Sequence, residues 1–94
     1  MRTKWLRAAL QNLDAEAEYI ARDSPAAAAR TVSAIAKAVQ QLEAYPALGR
    51  PGRVTGTREL VVAGTPYIVP YRVRHDIVEV LRVFHGARRW PSRL

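Results

Sequence analysis

Cysteine is absent from this chain, and so are long apolar runs. Without cysteine the protein has neither a disulfide framework nor a metal site built from thiolates. No apolar run approaches the length of a membrane span. The charged residues 1–5 lead into a helical pattern with no apolar segment of the kind that signal peptides have. We therefore expect a cytoplasmic protein with no membrane partner, and nothing in the pattern predicts a metal or a cofactor.

Lysine is absent from the second half of the chain, where acidic residues are also few. Residues 1–49 carry six Lys and Arg against five Asp and Glu, whereas residues 50–94 carry nine Arg against three acids. Most of the net charge of +7 therefore lies in the second half. Arginine makes bidentate contacts with carboxylates and phosphates and stacks on flat groups. The pattern favours a surface for an acidic partner or a nucleic acid over a merely solvated basic face.

The 94 residues predict one domain, residues 1–94, whose most regular pattern is a β-hairpin. Two β-branched and aromatic runs, residues 67–74 and 77–84, are separated by His75 and Asp76. His-Asp is weaker turn chemistry than Asn-Gly, but the implied register places complementary side chains opposite each other. The predicted facing pairs are Val73–Val78, Arg72–Glu79, Tyr71–Val80 and Val69–Arg82.

The first half of the chain predicts a short strand and two amphipathic helices. Residues 1–5 alternate in character and are assigned to a strand that joins the sheet of the hairpin. A first helix ends near Arg22, and Ser24-Pro25, an N-cap residue before a proline, starts a second helix that stops before Tyr45-Pro46. The predicted buried stripes are Leu6, Leu10, Leu13, Ala17 and Ile20 on the first helix and Ala28, Val32, Ile35, Val39 and Leu42 on the second.

The segments between the helices and the hairpin complete the predicted architecture. Residues 46–53 form a turn-rich loop with two arginines, and residues 57–63 predict a further strand. Pro70 cannot donate to a β-ladder, so a bulge or a local break in pairing is expected beside it. The predicted fold class is α+β: a single antiparallel sheet with an N-terminal strand, an αα-hairpin packed on one face (β-α-α-β-β-β) and a basic C-terminal tail. The other face is expected to be an open groove fringed by Arg58, Arg72, Arg74 and Arg82.

Several segments, taken in order, resemble the RelE/ParE superfamily of toxins from bacterial type II toxin–antitoxin modules. They are Trp5 with the following helix through Leu10, Leu13 and Tyr19-Ile20-Ala21, then PALGR at 46–50, GTRELVV at 56–62, YIVPYRV at 67–73 and LRVFHGAR at 81–88. The resemblance covers essentially the whole chain and implies the fold already derived. It also implies a partner, a cognate acidic antitoxin similar to ParD or RelB.

The resemblance leaves two targets open. RelE-like members cut mRNA in the ribosomal A site, whereas ParE-like members inhibit DNA gyrase. The RelE pattern has lysines on the strand after the helices and a tyrosine near the C-terminus; this chain has Arg58 and Glu59 there and no tyrosine after Tyr71. Gyrase inhibition is therefore the predicted function. A ribosome-dependent mRNA endonuclease is the alternative, and a nucleic-acid-binding domain without toxicity is supported by charge alone.

Two sets of candidate site residues follow from these alternatives. For RNA cleavage, resemblance to a nuclease branch that uses glutamate, arginine and histidine makes Glu59 the base and His85 the acid, with Arg72 and Arg82 as phosphate clamps. A simpler interpretation makes Glu59 a solvent-facing residue paired with an arginine, and His85 a turn residue. For binding of a target or partner the candidates are Arg58, Arg72, Arg74, Arg82, Arg88, Arg89 and Trp90. The simpler interpretation of the tail packs Trp90 back on the domain and leaves Arg88 and Arg89 in solvent.

Overall fold

The computed structural model describes all residues from Met1 to Leu94. Its elements are β1 (Arg2–Trp5), α1 (Arg7–Ala21), α2 (Pro25–Gln40), a 3₁₀ turn (Gln41–Glu43), β2 (Arg50–Pro51), β3 (Arg58–Val61), β4 (Tyr67–Arg74), β5 (Ile77–Val80) and β6 (Phe84–His85). The predicted order of elements is confirmed, with β3 shorter than the predicted strand and β2 added inside the predicted loop. Neither helix is long and apolar enough to cross a membrane.

The strands form one sheet in the order β1-β5-β4-β3-β2, with β6 paired to β4 beyond the end of β5. All pairings are antiparallel except that of β1 with β5, which is parallel. A parallel pair needs a long connection, which the two helices and the strands after them supply. The predicted α+β fold is confirmed, and the sheet is mixed because of this one edge strand.

The second helix begins at the predicted capping site. Ser24 is extended, its hydroxyl accepts a hydrogen bond from the N–H of Ala27 at 3.1 Å, and Pro25 occupies the first turn. The predicted stripe packs against the sheet, because Ala28, Ile35, Val39 and Leu42 are buried and Val32 is partly buried.

The buried stripe of α1 differs from the predicted one at one position. Ala9 is fully buried, whereas Leu10 is 47% exposed, so the prediction that Leu10 packs inward is wrong. Leu13 and Ile20 do pack against the core, as predicted. Ala9, Leu13 and Ile20 also follow the helical period. Periodicity alone therefore does not decide between Ala9 and Leu10 as the member of this stripe.

The turn between β4 and β5 has the backbone of a two-residue hairpin. His75 and Asp76 both have positive φ angles, 54° and 59°, as a type I′ turn requires. This turn sets the register of the strands on either side. The predicted pairs Tyr71–Val80, Arg72–Glu79 and Val73–Val78 are confirmed.

The register changes by one residue beside Pro70. Leu81 donates its N–H to the carbonyl of Pro70 at 2.9 Å, but proline has no N–H to return. The strand opposite β4 then carries one extra residue, as in a β-bulge, before the pairs Ile68–Phe84 and Tyr67–His85. The bulge predicted beside Pro70 is confirmed. The predicted Val69–Arg82 pair is wrong, because it assumed an uninterrupted register.

The sheet has one face covered by the helices and one open face. The core lies between the helices and the covered face and consists of Ala9, Ile35, Val39, Leu42, Leu60, Val62, Tyr67, Val69, Tyr71, Val78, Val80 and Val83. Neighbouring residues of a strand alternate between the faces. The open face is therefore lined by Arg2, Lys4, Arg50, Glu59, Val61, Ile68, Pro70, Arg72, Arg74, Ile77, Glu79 and Phe84.

Candidate functional site

A patch of positive charge lies at the β1 side of the open face. The register places Lys4, Glu79 and Arg72 in one row, and Arg2 and Arg74 in the next. Arg72 Nε donates to Glu79 Oε1 at 2.7 Å, and Arg74 Nε lies 3.5 Å from the same oxygen. The hydrogen bond from Arg72 holds the pKa of Glu79 below its usual range. Glu79 is thus one carboxylate among four cations. We call Arg2, Lys4, Arg72 and Arg74 the basic sheet patch.

Arg82 adds a further positive charge to the open face. Its guanidinium carbon lies 5.6 Å from the centre of the Phe84 ring, within cation–π distance. Its Nε is buried and has no hydrogen-bond partner in the chain. A buried charged donor without an acceptor is unfavourable.

Glu59 lies on the open face but is not a free carboxylate. It is 3% exposed, so the interpretation of a solvent-facing residue is wrong. Its Oε1 accepts from Arg50 Nε at 3.3 Å and Nη2 at 3.1 Å, and its Oε2 accepts from the N–H of Arg53 at 2.8 Å. The same interpretation paired Glu59 with an arginine, and this part of it is confirmed. Both carboxylate oxygens are therefore occupied by donors from the loop before β3.

His85 lies on the covered face, opposite to that of Glu59. It stands across from the core residue Tyr67, with the two ring centres 5.6 Å apart and edge to face. Its Nδ1 accepts a hydrogen bond from the N–H of Ala87 at 3.2 Å. The structure therefore does not bring the four residues of the nuclease set together: Glu59, Arg72 and Arg82 lie on the open face, and His85 does not.

The tail, residues 86–94, folds back onto the open face through Trp90. The Trp90 ring centre lies 4.8 Å from that of Phe84, and the guanidinium carbon of Arg53 lies 3.7 Å from the Trp90 ring centre. Trp90 Nε1 also donates to the carbonyl of His85 at 3.3 Å. The prediction that Trp90 packs back on the domain is confirmed, and its partners are now identified.

The two arginines before Trp90 have different environments. Arg89 is exposed, as predicted. Arg88 is half exposed, but its Nη1 donates to Glu16 Oε2 on α1 at 2.6 Å, so it is not a free solvated residue. The Tyr67 hydroxyl donates to the other oxygen of Glu16 at 3.0 Å. Burial, together with this hydrogen bond, raises the pKa of Tyr67 to about 12.

Arg58 is not part of the open face, contrary to the prediction. It pairs with Tyr71 on the covered side, and its Nη1 donates to the carbonyl of Gly49 at 2.8 Å. The open face instead includes four basic residues outside the predicted set: Arg2, Lys4, Arg50 and Arg53. The alternation within residues 1–5 is enough to predict that Arg2 and Lys4 lie on the same face of the sheet. Nothing in the sequence distinguishes the other two from ordinary loop residues.

A groove of about 490 Å³ lies between α2 and the outer edge of β3. Seven of its twelve lining residues are hydrophobic, among them Ala34, Ala38, Leu60 and Val62. Lys37, Arg50 and Glu59 are among the others, so the lining carries one net positive charge. An acidic segment with apolar side chains therefore fits its chemistry.

The same edge of β3 offers unpaired backbone groups. The N–H of Val62 donates to the carbonyl of Tyr67 at 3.1 Å, toward β4. Backbone groups alternate in direction along a strand, so the N–H and C=O of Val61 point away from β4. β2 pairs only with Arg58 and Glu59, and the edge at Val61 is therefore open.

Residues 3–90 match the model of a family described as the ParE toxin of the type II toxin–antitoxin system parDE. The chain is 52% identical over 93 residues to a Sinorhizobium fredii protein named as a candidate toxin, Y4kP, covering 99% of this chain and 96% of the relative. It is 39% identical over 84 residues to the toxin RelE2 of Caulobacter vibrioides, covering 89% of this chain and 93% of that one.

Two solved structures have a similar fold. A chain of the chromosomal ParDE toxin–antitoxin system from P. aeruginosa has a TM-score of 0.82 at 33% identity, over 90% of this chain and 95% of that chain. A chain of the toxin–antitoxin complex RelBE2 from Mycobacterium tuberculosis has a TM-score of 0.65 at 26% identity, over 89% and 95%. Since the family match spans nearly every element of the fold, this chain belongs to the ParE toxin family of type II toxin–antitoxin systems, within the RelE/ParE superfamily.

Proposed function

We propose that this protein arrests bacterial growth by binding DNA gyrase in the cytoplasm and inhibiting it. The observation that carries the proposal is the separation of Glu59 and His85 on opposite faces of the sheet. RNA cleavage by attack of a 2′-hydroxyl needs a base, an acid and cations around one phosphate. Glu59 is also held by Arg50 and Arg53, so it is poorly placed to take a proton from a ribose.

The open face is better suited to binding than to cleavage. It combines the basic sheet patch, Arg82 and the Trp90 ring on one side of the molecule. Protein interfaces concentrate their binding energy in arginine and tryptophan anchors, and a positive surface attracts an acidic one over some distance. The match of residues 3–90 to the ParE family supports gyrase as the target.

The test compares growth arrest with DNA supercoiling by purified gyrase. Deletion of residues 86–94 is expected to weaken both effects strongly, because it removes Arg89 and Trp90. His85→Ala is the matched single change, since His85 lies on the other face and the carbonyl that binds Trp90 remains. We expect His85→Ala to retain both effects.

The opposite result identifies the alternative function. Loss of growth arrest in His85→Ala, with supercoiling untouched even by wild-type protein, would replace the gyrase proposal by ribosome-dependent cleavage of mRNA. Incorporation of labelled precursors after induction distinguishes the two targets. Thymidine incorporation should stop first if the target is gyrase, and methionine incorporation should stop first if it is the ribosome.

We also propose that a cognate acidic antitoxin neutralises the protein by occupying the groove between α2 and β3. The groove supplies apolar contact area, and Lys37, which makes no ion pair within the chain, attracts acidic side chains. The open backbone at Val61 would accept an added strand from the antitoxin. These three features lie side by side, so one extended segment can use all of them.

A proline at Val61 tests the added strand. Val61 is 53% exposed and its N–H points away from β4, so proline there is compatible with an edge strand. Val61→Pro removes the outward N–H, whereas the control Val61→Ala keeps it. We expect Val61→Pro alone to lose antitoxin affinity in calorimetry with the purified pair. Equal affinity of the two variants would rule out the strand.

A further inference from the structure

Glu59 is the one charged residue that is buried in this protein. Its hydrogen-bond donors all come from residues 50–53: the Arg50 side chain binds Oε1, and the N–H of Arg53 binds Oε2. The Arg53 side chain adds a contact, with Nε 3.7 Å from Oε2. A buried carboxylate is tolerated only when such donors offset its loss of hydration. Glu59 therefore holds this part of the loop against β3.

The loop that carries Arg53 is closed on itself. The N–H of Gly52 donates to the carbonyl of Thr57 at 2.9 Å. The N–H and hydroxyl of Thr57 donate to the carbonyl of Val54 at 3.1 Å and 2.7 Å. A Cβ at Gly52 would lie 2.2 Å from Thr57 Oγ1, so this closure needs glycine. The position of Arg53 is thus set by a compact loop together with Glu59.

Arg53 is also the connection from this loop to the tail. Its guanidinium carbon lies 3.7 Å from the centre of the Trp90 ring, and that ring contacts Phe84. Arg50 also pairs with Glu59, through two side-chain hydrogen bonds, but its guanidinium does not lie over an aromatic ring. A continuous set of contacts therefore runs from Glu59 through Arg53 to Trp90.

We propose that Glu59 is a positioning residue for the tail: through Arg53 it holds Trp90 on Phe84 and so sets the surface that the tail presents. Only the use of this surface for target binding rests on the proposed function. Without the carboxylate, the guanidinium groups of Arg50 and Arg53 have no other anionic partner. They repel each other and turn toward solvent, and Trp90 loses the cation at its ring.

Glu59→Gln tests this role, because it keeps the shape of the side chain and removes its charge. Amide hydrogen exchange of residues 86–94, measured by mass spectrometry, reports the order of the tail. Trp90 fluorescence in a Trp5→Phe background reports its exposure, since these are the two tryptophans of the chain. We expect Glu59→Gln to speed exchange in the tail severalfold, to shift Trp90 emission to the red and to increase its quenching by acrylamide.

Two controls separate positioning from a general loss of structure. Glu79→Gln removes the other arginine-paired carboxylate of the open face, which has no contact with the tail, so tail exchange should not change. Arg53→Met and Arg50→Met are a second matched pair, because the two side chains are 51% and 52% exposed and both bind Glu59. Arg53→Met should release the tail, and Arg50→Met should affect it much less.

The outcomes also distinguish this inference from the proposed function. Unchanged tail exchange in a folded Glu59→Gln overturns the positioning role, whatever happens to toxicity. If the tail is released but gyrase inhibition stays at the wild-type level, the positioning role holds and target binding through the tail is wrong. Where Glu59→Gln does not fold, unchanged tail exchange in Arg53→Met overturns the proposal, because the contact with Trp90 runs through Arg53.

Discussion

Tyr71 and Gly49 are in direct contact between the core and the loop after α2. The N–H of Gly49 donates to the Tyr71 hydroxyl at 2.8 Å, and a Cβ at Gly49 would lie only 2.6 Å from Cε1 of that ring. Because Tyr71 is fully buried, its ring has little room to move. Gly49→Ala is therefore expected to lower the free energy of unfolding by about 1–3 kcal/mol through overpacking. Urea denaturation measures this change.

The control for this substitution is Ala47→Ser, at an exposed position two residues earlier. We expect it to leave the urea midpoint almost unchanged. An unchanged midpoint in Gly49→Ala as well would show that the ring can move away and that the contact is not tight.

Ile35→Ala tests the contact between α2 and the sheet. Ile35 is fully buried in the core, so its truncation is expected to cost about 2–5 kcal/mol, a large share of the stability of a small domain. Ala36→Ser is the control at the exposed neighbouring position. Equal thermal midpoints for the two variants would contradict the placement of this stripe.

Asp76→Gly is expected to stabilise the protein. Asp76 has a φ of 59°, a left-handed conformation that costs a residue with a Cβ about 1–2 kcal/mol. Glycine adopts it freely but loses more entropy on folding, so a net gain of up to about 1 kcal/mol is expected. Asp76→Ala keeps the Cβ and should not raise the thermal midpoint. A higher midpoint in Asp76→Ala as well would assign the gain to loss of the carboxylate.

Tyr67 is expected to make the stability depend on pH above 10. Burial raises its pKa from 10.0 to about 12 in the folded protein, so the folded state holds this proton more tightly than the unfolded chain does. The resulting stabilisation is fully present below pH 10 and is lost as the pH rises through about 12. Tyr67→Phe should therefore show a shallower loss of stability from pH 10 upward.

The ultraviolet absorbance of phenolate gives a direct reading of the same group. Tyr67→Phe should remove absorbance that develops near pH 12 in the wild-type protein. Burial also raises the pKa of Tyr71, so part of the late titration is expected to remain. If the absorbance that Tyr67→Phe removes instead develops near pH 10 in the wild-type protein, the Tyr67 hydroxyl does not lie in a buried environment.

Much of the fold is predictable because it depends on local chemistry. Ser24-Pro25 sets the start of α2 through a single hydrogen bond, and a two-residue turn with cross-strand complementarity sets the hairpin register. Such signals need no knowledge of distant residues. The choice of Ala9 over Leu10 as the buried residue of α1 depends instead on how the helix rests on the sheet.

The candidate site was less predictable, since it depends on contacts between distant segments. Glu59 becomes buried because a loop that precedes it folds back and supplies two arginines. Trp90 meets Arg53, 37 positions away, only after the tail has crossed the sheet. Neither contact can be recognised from the neighbouring sequence. The excess of arginine does predict that the surface is positively charged.

Pro70 determines which aromatic ring faces each side of the sheet. In an uninterrupted hairpin, Phe84 would lie opposite Tyr67 on the covered face, and His85 would follow on the open face. The extra residue opposite Pro70 exchanges the two rings, so that Phe84 supports Trp90 and His85 faces Tyr67. One missing backbone donor thus keeps an imidazole off the open face and leaves an aromatic platform there.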